Sequence, residues 1–496
     1  MGEETNTILN GANGGVVRVA LVYLYTGLAI FWVLGALGLW MRLSHAGVLP
    51  LNFFWYYRIM TLHGTGMIFI MLVATMGAVA AILSARVRLS AGLLWTAYVL
   101  NVAGVACVAA GTLGGFAAGW TMLYPLPMLN YAAGWPPWST FAFMVGNLLA
   151  ALALLAYSLA LLLGLSRKHG SIAAALAWPF LLNGGETRNA EPPALSEIAG
   201  TALGLIGLVT VVAGAAALAP MFAQAFGLIS SFNVLLEKNF MFLFGHTVAN
   251  MNIYLAAVLV YDTLPRYAGG RHWQTTRLSA LVANVLLITI FLPYPHHLYM
   301  DFAQPEAAQA IGIIGSWTGA MLALLVTIFG GLYLIYRSGL RWETPTILIL
   351  AGLWGWGFGG IGAMIDASTP MNEVFHNTLW VVAHFHTYYL LGAAAVTWGC
   401  MYYLITELRG RKESRLSRLA AWLYVIGGSG FALMFFAAGA AGMPRRYAVP
   451  VAGTGERGLA AFASLSVVLL GLGLLKLTYD LSAGLGAAWR RTKIAG

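Results

Sequence analysis

The chain has 496 residues, 60% of them hydrophobic and only 8% charged, with a net charge of +10 and a mean hydropathy of +0.80. A water-soluble domain carries about a quarter charged residues, so a soluble fold is excluded and an integral membrane protein is expected. The positive excess is read as a topology signal, with no nucleic-acid partner.

A spanning helix needs ~20 apolar residues. Twelve such segments follow one another along the chain, at 16–41, 57–84, 89–117, 138–165, 197–225, 237–261, 274–293, 308–336, 344–366, 375–405, 418–441 and 458–483. The expected fold is all-α, a bundle of twelve transmembrane helices forming a single domain over 1–496. The opening stretch MGEETNTILNGANGG is polar and mildly acidic and does not resemble a cleavable signal peptide. The longest polar insert, from GLSRKHGS to PPALSEIAG between the fourth and fifth spans, reads as a surface loop.

With both termini cytoplasmic, most of the 26 Lys and Arg fall on the inner side, among them Arg86, Arg88, Arg167, Lys168, Arg266, Arg411, Lys412 and Arg490. Arg42, Arg58, Lys238, Arg445, Arg446 and Arg457 fall on the outer side. This is the positive-inside pattern of a prokaryotic cytoplasmic membrane protein. Cys107 and Cys400 lie in separate spans and read as packing residues. With no Cys-x-x-Cys-His or Cys-rich copper motif, the electron carrier is expected on a partner subunit or to be a quinol.

Of the ten histidines, His45, His169 and His272 have polar or charged neighbours and are expected at the surface. The other seven lie within or at the ends of spans, where ionisable groups are costly and usually functional. His384 and His386 are two apart, hence ~200° apart around a helix, so one helix offers an imidazole to each of two cofactors. His296 and His297 are adjacent where Pro293 and Pro295 break a helix, and irregular backbone there can turn both toward one metal. His246 adds a third nitrogen from the preceding span, and three imidazoles with one open position suit copper, iron or zinc. His63 is assigned as the second axial ligand to the group held by His386, which makes a low-spin bis-histidine heme.

The segment GWGFGGIGAMIDAS…FHNTLWVVAHFHTYYLLG resembles the corresponding helices of subunit I of the heme-copper oxidases. The Tyr56-Tyr57-Arg58…Thr61-Leu62-His63-Gly64 stretch, the His296-His297 pair and GMPRRY at 442–447 match motifs of that family in the same order. The likeness spans all twelve helices and is closest to the B-type oxidases. It implies a low-spin heme on His63 and His386, a high-spin heme on His384, and copper, or non-heme iron, on His246, His296 and His297. It also implies that Arg445 and Arg446 pair with heme propionates, near His376 and Asp366. A cytochrome c- or cupredoxin-like subunit, or a quinol, would deliver electrons.

The sequence departs from the B-type pattern at Asn250. In those oxidases a tyrosine four residues after the copper-binding histidine is cross-linked to a ligand histidine and supplies an electron and a proton. Four residues is ~40° around a helix, so position 250 faces the same metal as His246. Tyr254 is ~80° round and ~12 Å further on. Cleaving O₂ in one step needs four electrons, one of them organic, whereas joining two NO as N₂O and water needs two. An asparagine can hydrogen-bond an oxygen of the reacting gas but cannot give an electron. The expected catalytic set is therefore His246, His296, His297, His384 and Asn250, acting on NO, with O₂ reduction to water as the alternative. Tyr294 or Tyr299 would be the relocated tyrosine under that alternative. No glutamate neighbours the three histidines, Glu237 being nine residues before His246. Tyr254, Tyr261, Ser316, Thr318 and Thr327 are the expected proton line from the cytoplasmic side, with Asp301 and Glu306 on the outer side. A secondary transporter is the competing class, but it has no need of six histidines in ligand spacing.

Overall fold

The computed structural model describes residues 13–182, 191–301, 303–409, 413–450 and 455–494. Arg411, Lys412 and most of the polar opening stretch lie outside the described residues. Twelve helices are long and apolar enough to cross a membrane. They are α1 (Gly14–His45), α2 (Phe53–Ser84), α3 (Ala91–Leu113), α4 (Pro137–His169), α5 (Leu195–Ala225), α6 (Val234–Tyr267), α7 (Arg277–Leu298), α8 (Glu306–Ile335), α9 (Thr344–Ala367), α10 (Leu379–Leu408), α11 (Arg415–Ala440) and α12 (Glu456–Arg490). The chain is a multi-pass all-α membrane protein, as the hydropathy pattern predicts.

The helix starts follow local chemistry. Asn52, Ser90 and Asn233 each accept a backbone N–H of the first turn through the side chain, capping α2, α3 and α6. Thr276 and Ser279 form a reciprocal capping box at α7. Neighbours in sequence pack as antiparallel pairs, and α12 returns against α1. The most enclosed helix is α2, which carries His63.

Two expectations are corrected. The span expected over 375–405 does not begin at 375: Asn377 is left-handed (φ 60) and Thr378 caps α10, so the helix starts at Leu379. His376 therefore lies in a connection, after the short helix Thr369–Phe375, and not on the helix of His384 and His386. The insert after α4 is not simply a surface loop. It holds short helices at Ile172–Ala175 and Trp178–Leu182 and buries Ala175, Leu176 and Ala177.

Close approach of helices depends on glycine. A Cβ on Gly146 of α4 would meet the Gly104 carbonyl oxygen at 2.7 Å, and one on Gly104 of α3 would meet the Gly146 oxygen at 2.8 Å. Small residues are what let membrane helices touch backbone to backbone. Replacing Gly146 with Leu is expected to destabilise the bundle by about 1–3 kcal/mol through overpacking. A lower thermal midpoint in detergent, with no change in heme absorption, checks this.

Candidate heme and metal site

The backbone breaks where the sequence places prolines. The α-helical part of α7 stops at Thr289, and a tight 3-10 turn over Tyr294–Leu298 carries the histidine pair. The rings of His296 and His297 have centroids 4.2 Å apart, and His246 of α6 stands 5.3 and 5.2 Å from them. One nitrogen of each lies within 4.8 Å of the others. His246 Nδ1 is 3.0 Å from His297 Nε2. Nitrogens ~2 Å from one tetrahedral ion lie roughly 3 Å apart, so the donor set fits a shared metal. The outward nitrogens are held too: His296 Nδ1 is 3.1 Å from Ser316 Oγ, and His246 Nε2 is 2.9 Å from Asn250 Nδ2. His297 stacks on Phe242 at 5.1 Å.

The second pair faces the other way. His63 and His386 have near-parallel rings, 16° apart, with centroids separated by 6.4 Å. Two imidazoles on opposite faces of one metal, each nitrogen ~2 Å away and the ring centre about 1 Å further, stand roughly 6 Å apart. Each Nδ1–H donates to a backbone carbonyl, His63 to Leu34 and His386 to Val382, both at 2.8 Å, leaving each Nε2 for a metal. His384 repeats the device, donating Nδ1–H to the Gly359 carbonyl at 2.9 Å. Gly38 packs on His63 so tightly that a Cβ there would lie 2.6 Å from Cε1. All six histidines line one cavity of about 850 Å³ between α1, α2 and α6–α12, large and apolar enough for flat macrocycles.

Arg445 and Arg446 line the same cavity from the α11–α12 connection. Arg445 donates backbone N–H to the Asn377 carbonyl at 2.8 Å, and its guanidinium donates to Asn377 Oδ1 at 2.9 Å. Arg446 is left-handed (φ 68), a strain of about 1–3 kcal/mol that such sites carry. Burial and then Arg446 push Arg445 down to about 9, which leaves it charged near neutrality, and burial lowers Arg446. Among the described residues no carboxylate lies within ion-pair distance of either. Two such cations suit an anionic ligand such as propionates. Asp366 is buried nearby, and Asn372 donates to the backbone carbonyls of Asp366 at 2.6 Å and His296 at 3.3 Å. Burial, then Arg445 and Arg446, lower His376 to about 4, so it is neutral beside them.

The expected proton line is only partly assembled. The Tyr261 and Thr327 hydroxyls are 2.7 Å apart, and Tyr254 and Thr327 line the cavity. Ser316 instead bonds Nδ1 of His296, and Thr318 is exposed, because two residues along α8 is ~200° around it. Tyr294 donates to Asn239 Oδ1 and Tyr299 to the Gln309 carbonyl, both at 3.1 Å, so neither hydroxyl faces the histidine cluster. Glu237, half a turn out of phase with His246, accepts the Tyr124 N–H at 3.2 Å. Asp301 pairs with Lys238 at 3.0 Å.

His45 is not at the surface. It is 2% exposed because α1 continues to it, its ring stacks on Tyr56 at 5.3 Å, and its Nε2 bonds the Tyr447 carbonyl at 2.8 Å. His169 is half-buried against Glu197 at 2.9 Å, and His272 is exposed as expected. Arg42, read from sequence only as an outer-side charge, is buried over the Phe435 ring at 5.0 Å and lines the cavity. Its signal was register: Arg42 lies four residues after Gly38, on the face toward His63.

The family described as "Cytochrome C and Quinol oxidase polypeptide I" matches residues 18–474. Cytochrome c oxidase subunit 1 of Thermus thermophilus is 28% identical over 243 residues, 45% of this chain and 42% of the relative. Quinol oxidase subunit 1 of Bacillus spizizenii is 24% identical over 254 residues, 50% of this chain and 38% of the relative. The matched region thus spans about two-fifths of these relatives' own length. A heme-copper terminal oxidase dimer solved by cryo-EM superimposes with a TM-score of 0.76 at 21% identity, covering 95% of this chain and 84% of that one, and so shares its fold. The match to the family along nearly the whole chain, on a fold that gathers six histidines around one cavity, makes this chain a member of the subunit I polypeptides of the heme-copper cytochrome c and quinol oxidases.

Proposed function

We propose that this chain is the catalytic subunit of a membrane terminal reductase that converts nitric oxide to nitrous oxide. The observation that carries the reading is Asn250, whose amide lies 2.9 Å from His246 Nε2. The position that faces the metal cluster thus holds an amide, which has hydrogen-bonding capacity but no electron to give. Joining two NO consumes two electrons and two protons, and needs no organic electron donor.

Hemes held by His63 with His386 and by His384, and copper or iron held by His246, His296 and His297, would carry electrons and bind a diatomic gas between them. The protein's own part is to orient and to exclude water. Leu34, Val382 and Gly359 carbonyls fix three imidazoles, Ser316 and Asn250 fix two more, and the apolar walls keep the cavity dry. Arg445 and Arg446 would anchor propionates, beside the neutral His376 and the buried Asp366. Tyr254, Tyr261 and Thr327 supply hydroxyls below the cluster for proton entry from the inner side of a prokaryotic cytoplasmic membrane, where both termini lie. Electrons would come from a cytochrome c- or cupredoxin-like subunit or from a quinol.

Reduction of O₂ to water is the second reading, favoured by the relatives, which are named as oxidases. It requires an organic electron donor, and Tyr294 and Tyr299 spend their hydroxyls elsewhere.

Two outcomes are expected. With a reducing mediator, the purified protein should consume NO anaerobically far faster than it takes up O₂, with N₂O as product; fast O₂ uptake with slow NO loss would sink the NO reading. His63→Leu should lower the heme content from about two to about one per chain, read by a pyridine hemochrome assay. Undiminished heme in that variant would remove His63 from the ligand set.

A further inference from the structure

We infer that Asn250 is a positioning residue for the second metal: its amide oxygen takes the Nε2–H of His246, so that Nδ1 faces the ion. The inference rests on reading the three histidines as a metal centre, and does not depend on which gas is reduced.

The argument starts from the two ends of each ring. His296 turns Nδ1 to Ser316 and so presents Nε2 to the cluster. His297 presents Nε2, which lies 3.0 Å from Nδ1 of His246. His246 is therefore the odd ligand, presenting Nδ1 while Nε2 points back along α6 to the Asn250 amide, whose Nδ2 stands 2.9 Å away. A metal-bound imidazole is neutral, so with Nδ1 ligated its single proton must sit on Nε2. That N–H is in a cavity lined mainly by apolar side chains and needs an acceptor. The oxygen and nitrogen of an amide exchange places by a half-turn of its plane, and their assignment follows the hydrogen-bond network. With the metal in place the network requires that half-turn, which brings Oδ1 to the place Nδ2 holds against His246 Nε2 and leaves the NH₂ group on the cavity side, since Asn250 lines that cavity.

The i, i+4 geometry makes the device local. Both residues sit on one face of α6, so the acceptor needs no other helix to place it. The helix itself is tied at this turn, because Tyr389 of α10 donates to the Ala249 carbonyl at 3.1 Å. Without an acceptor at 250, nothing else described selects the Nε2–H tautomer of His246, and Nδ1 would be protonated for part of the time and unable to ligate.

The test uses the heme-loaded protein stripped of its second metal by a chelator. Copper(I) affinity, read by competition with a chromogenic chelator, should fall about 10–100-fold in Asn250→Leu, the usual cost of losing a group that orients a ligand. Asn250→Asp keeps an acceptor at the same reach and should retain affinity. Asn250→Ala carries the same expectation as Leu where the larger side chain prevents folding, and an unchanged Soret band shows that the hemes are in place. Leu and Ala variants that bind copper as the wild type does would overturn the inference. So would equal losses in Asp and Leu, which would mark a packing role. A wild type that takes up no copper or iron at the cluster would overturn the metal-centre reading instead, and the inference with it.

Discussion

An imidazole placed inside a membrane bundle has two ring nitrogens to satisfy and almost nothing there to satisfy them. Burying one without a partner costs on the order of 1–3 kcal/mol, and there are six around this cavity. The chain meets the constraint in one way throughout. For five of the six rings, one nitrogen is bonded to a fixed neighbour, the Leu34, Val382 or Gly359 carbonyl, Ser316 or Asn250. The other nitrogen is then turned to the cavity, which is how a structural requirement becomes a set of oriented rings.

The surrounding packing serves that arrangement. Gly38 and Gly362 lie against the His63 and His384 rings, where a Cβ would come within 2.6 and 3.2 Å. Directly after His386 the helix widens into a π-helical stretch, Thr387–Ala394, a feature that often marks functional sites. It sets Tyr388 edge-on to His384 at 5.0 Å and sends Tyr389 across to α6. The helix bearing His384 and His386 is thereby tied to the one bearing His246 and Asn250. At the far end, the left-handed Asn377 joins the start of α10 to the Arg445 loop, so the helix of His384 and His386 and the guanidiniums share one anchor.

The grouping of the histidines around one cavity is legible in the sequence because it rests on periodicity. Two residues apart on a helix is opposite sides, four apart is the same side, and prolines around His296 and His297 free the backbone to turn both inward. Those rules turn His384, His386, His246 and Asn250 toward the cavity, which all four line. What escaped depends on long-range contacts. His45 looked like a loop histidine, and only the approach of Tyr447 and Glu456, some four hundred residues away, makes it a buried one. Asn377 was hidden inside an apolar run, because a single left-handed residue leaves no trace in hydropathy. Thr318 failed for a simpler reason: the period that makes Ser316 face inward turns residue 318 outward.

Low-temperature EPR of the oxidised protein tests the central claim, that six histidines divide between an isolated bis-histidine heme and a closely spaced heme–metal pair. The account predicts a low-spin ferric signal of about one spin per chain, with the high-spin heme and the second metal largely silent because two paramagnetic ions share one cavity. A high-spin heme and a copper signal each at full intensity, or no low-spin signal at all, would contradict it.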